Sequence, residues 1–526
     1  MSDRPRTPLQ TACLASMTPR ASLGRRRSGA AGLLLLLASA ATSVMAQDGS
    51  GAPRGLTISR SLSVSETLTD ARQRSDGTTS GDAITTVTPA IRVVSRGGQI
   101  RGSLDYSLSA NLHARDTAAN NLQHNLSAAA TAEILAEHLT VDLRGSVARQ
   151  SASALALQTP DSNLAGRSQT HVRSYSIAPL LRGTPGGVVD MSARLTLAGT
   201  DSGSSSISNS TSKAAALHLG SPSAGTRLGW ALDATRQVID FDRGRGSEDD
   251  RLVAGLSMRP LPDLQLGVRV GIEDSDIASP TKKRTDTWGA GFAWTPSQRT
   301  LVALDADRRS FGHSHAFNLQ HRLRRTVLRF SDRQDVSSGV DAGTTLIPAF
   351  DLFFAMFAAQ EPDPVKREQL VNAFLRNNNL PADTLIRAGL LTASTALQRR
   401  QELSLAWQGL RTGLVLSGFR TDSRRAADLV GVPDDLATGE LRQRGFAVSV
   451  SHALTPTSAV GLAFNSSRSR TVQTDAHSDI DSLSLNWGER LSNRTSVSLS
   501  LRHSESATGT ERLNENAVTA NLYMLF

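Results

Sequence analysis

The feature that most constrains this chain is a strict alternation of apolar and polar residues in many segments. In residues 264–272, LQLGVRVGI, leucine, valine and isoleucine occupy one side, while Gln265 and Arg269 lie on the other. Residues 102–113 and 493–503 repeat the pattern. Because successive side chains of a β-strand point to opposite faces, this period predicts strands with one apolar and one polar face. The polar side chains are too hydrophilic for the inside of a soluble sandwich. They suit a transmembrane barrel with lipid outside and a wet lumen.

The connections between the candidate strands provide an independent test of this interpretation. Short connections fall at 259–263, 296–298, 409–411, 455–457 and 491–493. Long polar connections alternate with short ones down most of the chain and include 200–212, 274–285, 422–443 and 468–479. Bacterial outer-membrane barrels have short periplasmic turns and longer external loops. The sequence therefore predicts an all-β fold, a transmembrane antiparallel β-barrel of the bacterial outer-membrane type with an even number of about 18–22 strands.

The start of the chain has the organisation of an export signal. Arg25, Arg26 and Arg27 precede an apolar stretch at 29–41, and a small-residue cleavage site ends at Ala46. The expected divisions are a cleaved signal peptide at 1–46, a short periplasmic segment at 47–55 and a barrel at 56–526. This organisation predicts a protein exported to the cell outer membrane.

Composition excludes several classes of protein. Only 39% of the residues are hydrophobic and 4% aromatic, and the continuous apolar blocks of a large soluble enzyme are missing outside the signal. The formal net charge of +9 includes the arginines of the signal, so the remaining chain lacks the basic excess of a nucleic-acid-binding protein. Loss of residues 1–46 also removes Cys13, the sole cysteine, which suits an oxidising compartment without disulfides.

Motifs for catalysis are missing from the sequence, including G-x-S-x-G, H-E-x-x-H and phosphate-binding glycine loops. His313 and His315 have a spacing that two metal ligands on a strand can adopt, but two histidines near a loop are the simpler interpretation. The acidic run Glu248, Asp249 and Asp250 falls in a predicted external loop and is interpreted as solvated. We expect no enzymatic activity, no metal site and no cofactor.

Two sets of side chains follow from the predicted faces. On the apolar alternation, three tryptophans lie within a few residues of a short turn, where an aromatic girdle at a bilayer interface is expected. They are Trp294, Trp407 and Trp487. The polar alternation supplies five arginines as candidate lining of the lumen. They are Arg144, Arg194, Arg269, Arg322 and Arg502. Such a lining is expected to attract an anionic polymer.

Residues 334–395 break the alternating pattern. Residues 346–359 are apolar, and residues 363–381 have helical spacing, with Pro364 in a position that suits a first helical turn. A loop this long and this apolar is not expected to extend into solvent. We predict one long, partly helical external loop that acts as a plug in the mouth or as a lid over it. A structural lid without a ligand explains the segment equally well.

The chain ends on the alternating segment NAVTANLYMLF, residues 516–526. Val518, Leu522, Met524 and Phe526 fall on one face of it. A final alternating strand that closes on an aromatic residue resembles the C-terminal signal of bacterial outer-membrane barrels. The resemblance implies that this strand seals the barrel against the first strand and is recognised by the barrel assembly machinery.

Residues 259–276 and 288–338, together with the long insert, resemble the PEP-CTERM system-associated outer-membrane protein family. The motif residues are Trp294, Pro296, Ser297, Arg299 and Thr300, followed by His321, Arg324 and Arg325. The family's TDN near the start is replaced by Thr69, Asp70 and Ala71, which leaves the first strand the least constrained. The resemblance implies an outer-membrane barrel found alongside exosortase and exopolysaccharide genes.

Three functions remain open at this point. The first is a channel or export component for an extracellular polysaccharide, in an exopolysaccharide or PEP-CTERM (exosortase) system. The second is a general diffusion porin or small-solute uptake channel, with the 334–395 loop as its constriction. The third is a non-conducting scaffold barrel or an unrecognised outer-membrane enzyme. Expected partners are outer-membrane lipids and lipopolysaccharide, the barrel assembly machinery, and anionic polysaccharide with its export partners; no nucleic acid is expected.

Overall fold

The computed structural model describes residues 55–73, 79–151, 153–157, 169–203, 208–222, 227–337, 395–427, 435–437, 439–474, 476–509 and 511–526. In these residues the chain forms 22 β-strands and two short 3-10 helices, Thr117–Ala119 and Pro185–Gly187. None of the helices in this part of the chain is long and apolar enough to cross a membrane. The predicted signal peptide at 1–46 lies outside the described residues, as does all but the last residue of the predicted periplasmic segment at 47–55.

The strands follow one another along the chain with their polar and apolar residues alternating. They are β1 (Leu56–Gln73), β2 (Thr79–Ser95), β3 (Ile100–His113), β4 (Asn121–Leu135), β5 (Leu139–Ser151), β6 (Gln169–Gly183), β7 (Asp190–Ser202), β8 (Ser210–Gly220), β9 (Leu228–Phe241), β10 (Ser247–Leu261), β11 (Leu264–Ser275), β12 (Lys283–Ser297), β13 (Thr300–Arg309), β14 (Gly312–Arg322), β15 (Thr326–Ser337), β16 (Ala396–Gln408), β17 (Thr412–Arg425), β18 (Leu441–Ala453), β19 (Ser458–Thr471), β20 (His477–Arg490), β21 (Thr495–Thr508) and β22 (Glu511–Leu525).

Each strand pairs antiparallel with its neighbours in sequence, and β1 also pairs with β22. We call this closing pair the seam. Its register runs from Ser61 opposite Leu525 to Thr69 opposite Ala517. Closure gives every strand a hydrogen-bonded partner on both sides, as a sheet that spans a bilayer requires. The prediction of an all-β antiparallel barrel is confirmed, and the 22 strands lie at the upper limit of the predicted number.

The two ends of the barrel differ in their connections. The end that holds Leu56 and Leu525, which we call the turn end, has connections of at most seven residues. The opposite, loop end carries the three connections that are longer, at 152–168, 338–395 and 426–440, while its other connections have two to seven residues. The long insert begins later than predicted, because β15 continues to Ser337. The remainder of that segment, residues 338–394, lies outside the described residues, and so does the prediction that it is partly helical.

The two faces of the closed sheet carry different side chains. Large apolar side chains are exposed on one face, such as Val270, which is 63% exposed. On the other face, Arg309 of β13 contacts Asp249 of β10 at 2.9 Å, although two strands lie between them. Side chains of non-adjacent strands converge in this way only on the inside of a curved sheet. The polar face is therefore the concave wall of the lumen, and the apolar face is the convex outer surface.

Candidate functional site

The concave wall contains a shallow pocket of about 350 Å³ on strands β9 to β13. Its floor lacks side chains, because Gly255, Gly267 and Gly291 lie on three successive strands. Polar groups surround this floor. They are Asp233, Gln265, Arg269 and Asp305. The volume of this pocket and its few convergent polar side chains are in the range of small-molecule sites.

Arg269 is the central cation of this pocket. Its guanidinium donates to the Asp305 carboxylate at 2.7 Å and to the Asp307 carboxylate at 3.1 Å. The two aspartates lie over Gly291 and Gly289, and a β-carbon at either glycine would collide with the carboxylate above it. The glycines of β12 are thus required for the ion pairs of β11 with β13.

A second ion-pair group lies on the concave wall nearer the loop end. Arg309 contacts Asp249 at 2.9 Å, Glu273 at 3.0 Å and Asp335 at 3.5 Å. Glu273 also accepts a hydrogen bond from the Ser310 hydroxyl and is fully buried. Because a buried charge without a partner is costly, this arrangement ties β10, β11, β13 and β15 into one rigid section of wall.

The structure places all five predicted lumen arginines on the concave face. Arg194 lies 3.4 Å from Asp142, and Arg502 lies 3.2 Å from Glu515. Arg144 follows Asp142 on the same face of β5. Arg322 donates to the carbonyl of Gln298 at 2.6 Å, near the turn end. The remaining member, Arg269, belongs to the pocket described above.

Pairing changes what these arginines do electrostatically. Three of the five lie against carboxylates, so much of their positive potential is cancelled locally. The sequence pattern could not reveal this, because each partner lies on another strand, one or two positions around the barrel. The wall is better described as mixed in charge than as a basic track.

The opening at the loop end is crossed by residues 153–157 of the β5–β6 connection, which we call the mouth segment. Asp435 accepts hydrogen bonds from the Ser153 hydroxyl at 2.5 Å and from the Ala154 N–H at 2.6 Å. Ser478 and Thr508 donate to carbonyls of the segment at 2.9 and 2.8 Å. These partners belong to the β17–β18 connection, to β20 and to β21, so the segment reaches the far wall.

Apolar packing holds the mouth segment in place. Ala154 and Leu155 pack against Ala396, Leu436 and Leu441. Strands β5 and β16 are eleven strands apart around the ring. Ala154 is three residues beyond Ser151, a stretch that spans at most roughly 11 Å, whereas a round barrel of this size is roughly 40 Å across. The opening is therefore strongly narrowed along this diameter.

A further contact narrows the same opening. The hydroxyls of Ser247, at the start of β10, and Thr395, just before β16, are hydrogen-bonded at 2.9 Å and buried. The sequence pattern placed the expected constriction at residues 334–395, most of which lie outside the described residues. The part of the constriction that the structure describes involves the β5–β6 connection and Thr395, and no local sequence pattern indicated the β5–β6 contribution.

The acidic run at 248–250 is not the solvated external loop that the sequence suggested. Strand β10 begins at Ser247, so the carboxylates alternate between its two faces. Asp249 faces the lumen and binds Arg309, while Glu248 and Asp250 lie on the convex face beside Lys282 at 2.7 and 3.0 Å. Lys282 lies in the β11–β12 connection. Its hydrogen bond to Glu248, and then the one to Asp250, raise the pKa of its ammonium group. The prediction of an external loop was wrong because β10 begins before its first apolar residue, Leu252, so the three carboxylates belong to the strand.

The three predicted girdle tryptophans lie on the convex face close to the turn end. Trp294 and Trp487 donate their indole N–H to Asp263 at 3.2 Å and to Ser458 at 3.1 Å. Trp407 is 36% exposed beside the β16–β17 turn. Trp230, which the sequence pattern did not single out, is also exposed near this end, on β9. An amphipathic ring with its N–H bonded to a polar partner suits a membrane interface.

The C-terminal residues singled out by sequence lie in the seam. Val518, Leu522 and Met524 stand opposite Leu68, Val64 and Leu62 of β1 on the convex face. The backbone N–H of Phe526 donates to the carbonyl of Arg60 at 2.8 Å.

Metal-binding geometry is not found among the residues that the structure describes. His315 lies 3.2 Å from Asp332, and His321 is hydrogen-bonded to Thr300 at 2.9 Å. Both are on the convex face, one near each end of β14.

Comparison with known proteins returns likenesses to solved barrels at low sequence identity. No protein-family model and no curated protein matches the chain. The FrpB iron transporter from Neisseria meningitidis is similar over 89% of this chain and 82% of its own, at 8% identity and a TM-score of 0.46. The siderophore receptor PirA from Pseudomonas aeruginosa is similar over 89% and 80%, at 10% identity and a TM-score of 0.37. OpdK from Pseudomonas aeruginosa, solved with vanillate, is similar over 89% and 99%, at 8% identity and a TM-score of 0.33. Identities this low carry no inference about substrate or mechanism.

Proposed function

We propose that this chain is an outer-membrane channel for polar solutes whose outer mouth is closed by the mouth segment. The observation that carries the proposal is the combination of an apolar convex surface with a polar, charged concave wall in a closed barrel. A barrel of this kind is stable with lipid outside and water inside. The turn end then faces the periplasm, and the loop end faces the exterior. We propose transport rather than catalysis as its role.

Solute selection is proposed to occur at the glycine-floored pocket. Arg269 and its two aspartates offer donors and acceptors within one small area of wall, which suits a polar solute of either sign better than a polyanion. This favours a small-solute channel over the export of an anionic polymer.

A second candidate is a channel of an exopolysaccharide (PEP-CTERM, exosortase) system. Two observations support it. The family resemblance covers the turn motif from Trp294 to Thr300, and Trp294 is held there by Asp263. In addition, Arg144 and Arg322 stand on the concave face as lining that a polyanion could contact.

The test of the channel is single-channel conductance of the refolded protein in a planar bilayer. The double variant Ser153→Ala, Asp435→Asn removes the hydroxyl that donates to residue 435 and leaves the Ala154 N–H with a neutral amide oxygen in place of a carboxylate. A hydrogen bond to a charged partner is worth about 1.5–3 kcal/mol. We expect rare openings in the wild type and an open fraction raised at least about tenfold in the variant.

The matched control is Asp242→Asn. Asp242 accepts a hydrogen bond from Asn209 at 2.9 Å, but this bond joins the neighbouring ends of β8 and β9 and does not cross the opening. This variant is expected to leave the open fraction unchanged. Silence of both the wild type and the double variant, in protein that migrates as folded, would remove the channel and leave a scaffold barrel or an enzyme. Conductance of monovalent salt that is blocked by an acidic polysaccharide would favour the second candidate.

A further inference from the structure

The convex face carries a cluster of arginines near the loop end that no channel function requires. Arg420 of β17 stands directly opposite Arg444 of β18, which stands directly opposite Arg468 of β19. In the adjacent row, Arg442 stands opposite Arg470. These five residues, the arginine patch, share the even-numbered alternation of β17 to β19 with the exposed lipid-side residues Leu416, Phe446 and Leu462.

Carboxylates only partly balance this patch. Asp422 lies 3.1 Å from Arg420 and 3.9 Å from Arg442, and Glu440 lies 2.9 Å from Arg442. Asp479 stands across from Arg468 on β20 without approaching to ion-pair distance in the described structure. Arg444 and Arg468 are exposed, and no carboxylate of the described residues pairs with either. Like charges directly opposite each other on a sheet are destabilising, so the row calls for an anion from outside the chain.

The depth of the patch on the barrel narrows the choice of anion. Phe446, two residues from Arg444 toward the turn end, is exposed and packs against Phe464 at 5.5 Å between ring centroids. One such step along a strand is roughly 7 Å, so the arginines lie at the edge of the apolar band. Lipid phosphate groups lie at this boundary, immediately beyond the acyl chains.

We infer that the arginine patch binds the bisphosphorylated glucosamine headgroup of a lipopolysaccharide in the outer leaflet. The inference rests on the proposed outer-membrane location. Adjacent strands are about 4.8 Å apart, so the Arg420–Arg444–Arg468 row spans roughly 10 Å, on the order of the length of a disaccharide. Planar guanidinium forks bind phosphate oxygens in pairs, and clustered basic residues beside an apolar surface bind lipid headgroups.

An arginine elsewhere on the convex face, Arg236, is paired with carboxylates of the chain itself. Near the loop end of β9 and β10, Arg236 lies 3.4 Å from Asp250 and 3.8 Å from Glu248, so its charge is balanced within the chain. It is as exposed as the patch arginines, with 60% of its side chain accessible against 57% for Arg420. Arg236 is therefore a matched control in exposure, face and end of the barrel.

The test is binding of bisphosphoryl lipid A to the refolded protein in detergent micelles, measured by native mass spectrometry and by titration. Relative to wild type, Arg444→Gln, Arg468→Gln is expected to weaken binding by about tenfold or more, since two charge-assisted contacts are lost. Arg444→Lys, Arg468→Lys keeps the charge and is expected to restore part of the affinity, while Arg236→Gln leaves it unchanged. Heat-dependent migration on gels confirms that each variant is folded.

Equal affinity of the wild type and the glutamine variant would overturn the inference. So would equal binding of phosphatidylglycerol, because the site would then recognise any anionic lipid. Loss of affinity for monophosphoryl relative to bisphosphoryl lipid A would support it. Lipid binding is measured without any conductance, so a silent channel that still binds lipid A through the patch would contradict the proposed function alone.

Discussion

Gly291 illustrates how a single residue on β12 decides the electrostatics of the concave wall. Glycine in a strand interior normally weakens the strand, because it has no side chain to pack. Here the missing β-carbon leaves room for the Asp305 carboxylate, which in turn binds Arg269. Gly267, on the neighbouring strand, has no such neighbour, since a methyl group there would come no nearer than 3.7 Å to another atom, the Leu256 carbonyl oxygen.

At this scale we predict that Gly291→Ala lowers the free energy of unfolding by about 1–3 kcal/mol, as overpacking does elsewhere. The new methyl would meet the Asp305 carboxylate and, at 2.9 Å, the Leu304 carbonyl. Urea titration of the refolded protein in micelles would report the change. Gly267→Ala is the control and is expected to be neutral or slightly stabilising. An equal loss in both variants would mean that any side chain on the pocket floor is harmful.

Individual strands were the most predictable elements, because alternation is a local property of the sequence. The segment 264–272 became β11 with its apolar residues on the convex face, as its period predicts. The mouth segment was not predictable, since Ser153 and Asp435 are 282 residues apart and neither lies in a repeating pattern. The arginine patch does have a signal in the sequence, namely R-x-R at 442–444 and at 468–470, near the loop ends of two adjacent strands.

The final strand is the element whose loss is easiest to test. Its concave residues bond to both neighbours, with Glu515 accepting from Thr69 of β1 at 2.9 Å and from Arg502 of β21 at 3.2 Å. Deletion of residues 516–526 is expected to abolish the compact, heat-modifiable form on gels, because β1 and β21 would each keep an unpaired edge. Deletion of Phe526 alone, which removes one backbone bond to Arg60, is the control and should still yield folded barrel. A compact form of the longer deletion would contradict the role of the seam.

For the molecule as a whole, the charges of the two faces serve different surroundings. On the concave wall, Arg269 and Arg502 are paired with carboxylates from other strands, while Arg444 and Arg468 on the convex face have no carboxylate partner among the described residues. Composition alone cannot distinguish these cases. The formal charge of the chain says nothing about which face a residue occupies, and the face depends on the register of every strand.

The ion selectivity of the channel should depend on the charges of the concave wall and not on those of the convex face. In the Ser153→Ala, Asp435→Asn background, Asp305→Asn with Asp307→Asn leaves the charge of Arg269 uncompensated in the lumen. We expect the reversal potential in a salt gradient to shift toward anion preference, with the shift reduced at high ionic strength by screening. Asp481→Asn, on the convex side of β20, is the control and should leave the potential unchanged. An unchanged potential in the lumen variant would show that ions do not pass this wall.

The seam also has a consequence for how fast the barrel assembles. Thr67 and Thr519, whose hydroxyls are 3.0 Å apart across it, are separated by 452 residues of chain. Every other strand pair joins sequence neighbours, most of them through connections of at most seven residues, whereas this pair must bring the two ends of the barrel together. We therefore expect closure to be a slow, late step of folding, and until it occurs β1 and β22 each have an unpaired edge. A cell that makes this protein must shield both strands over that interval.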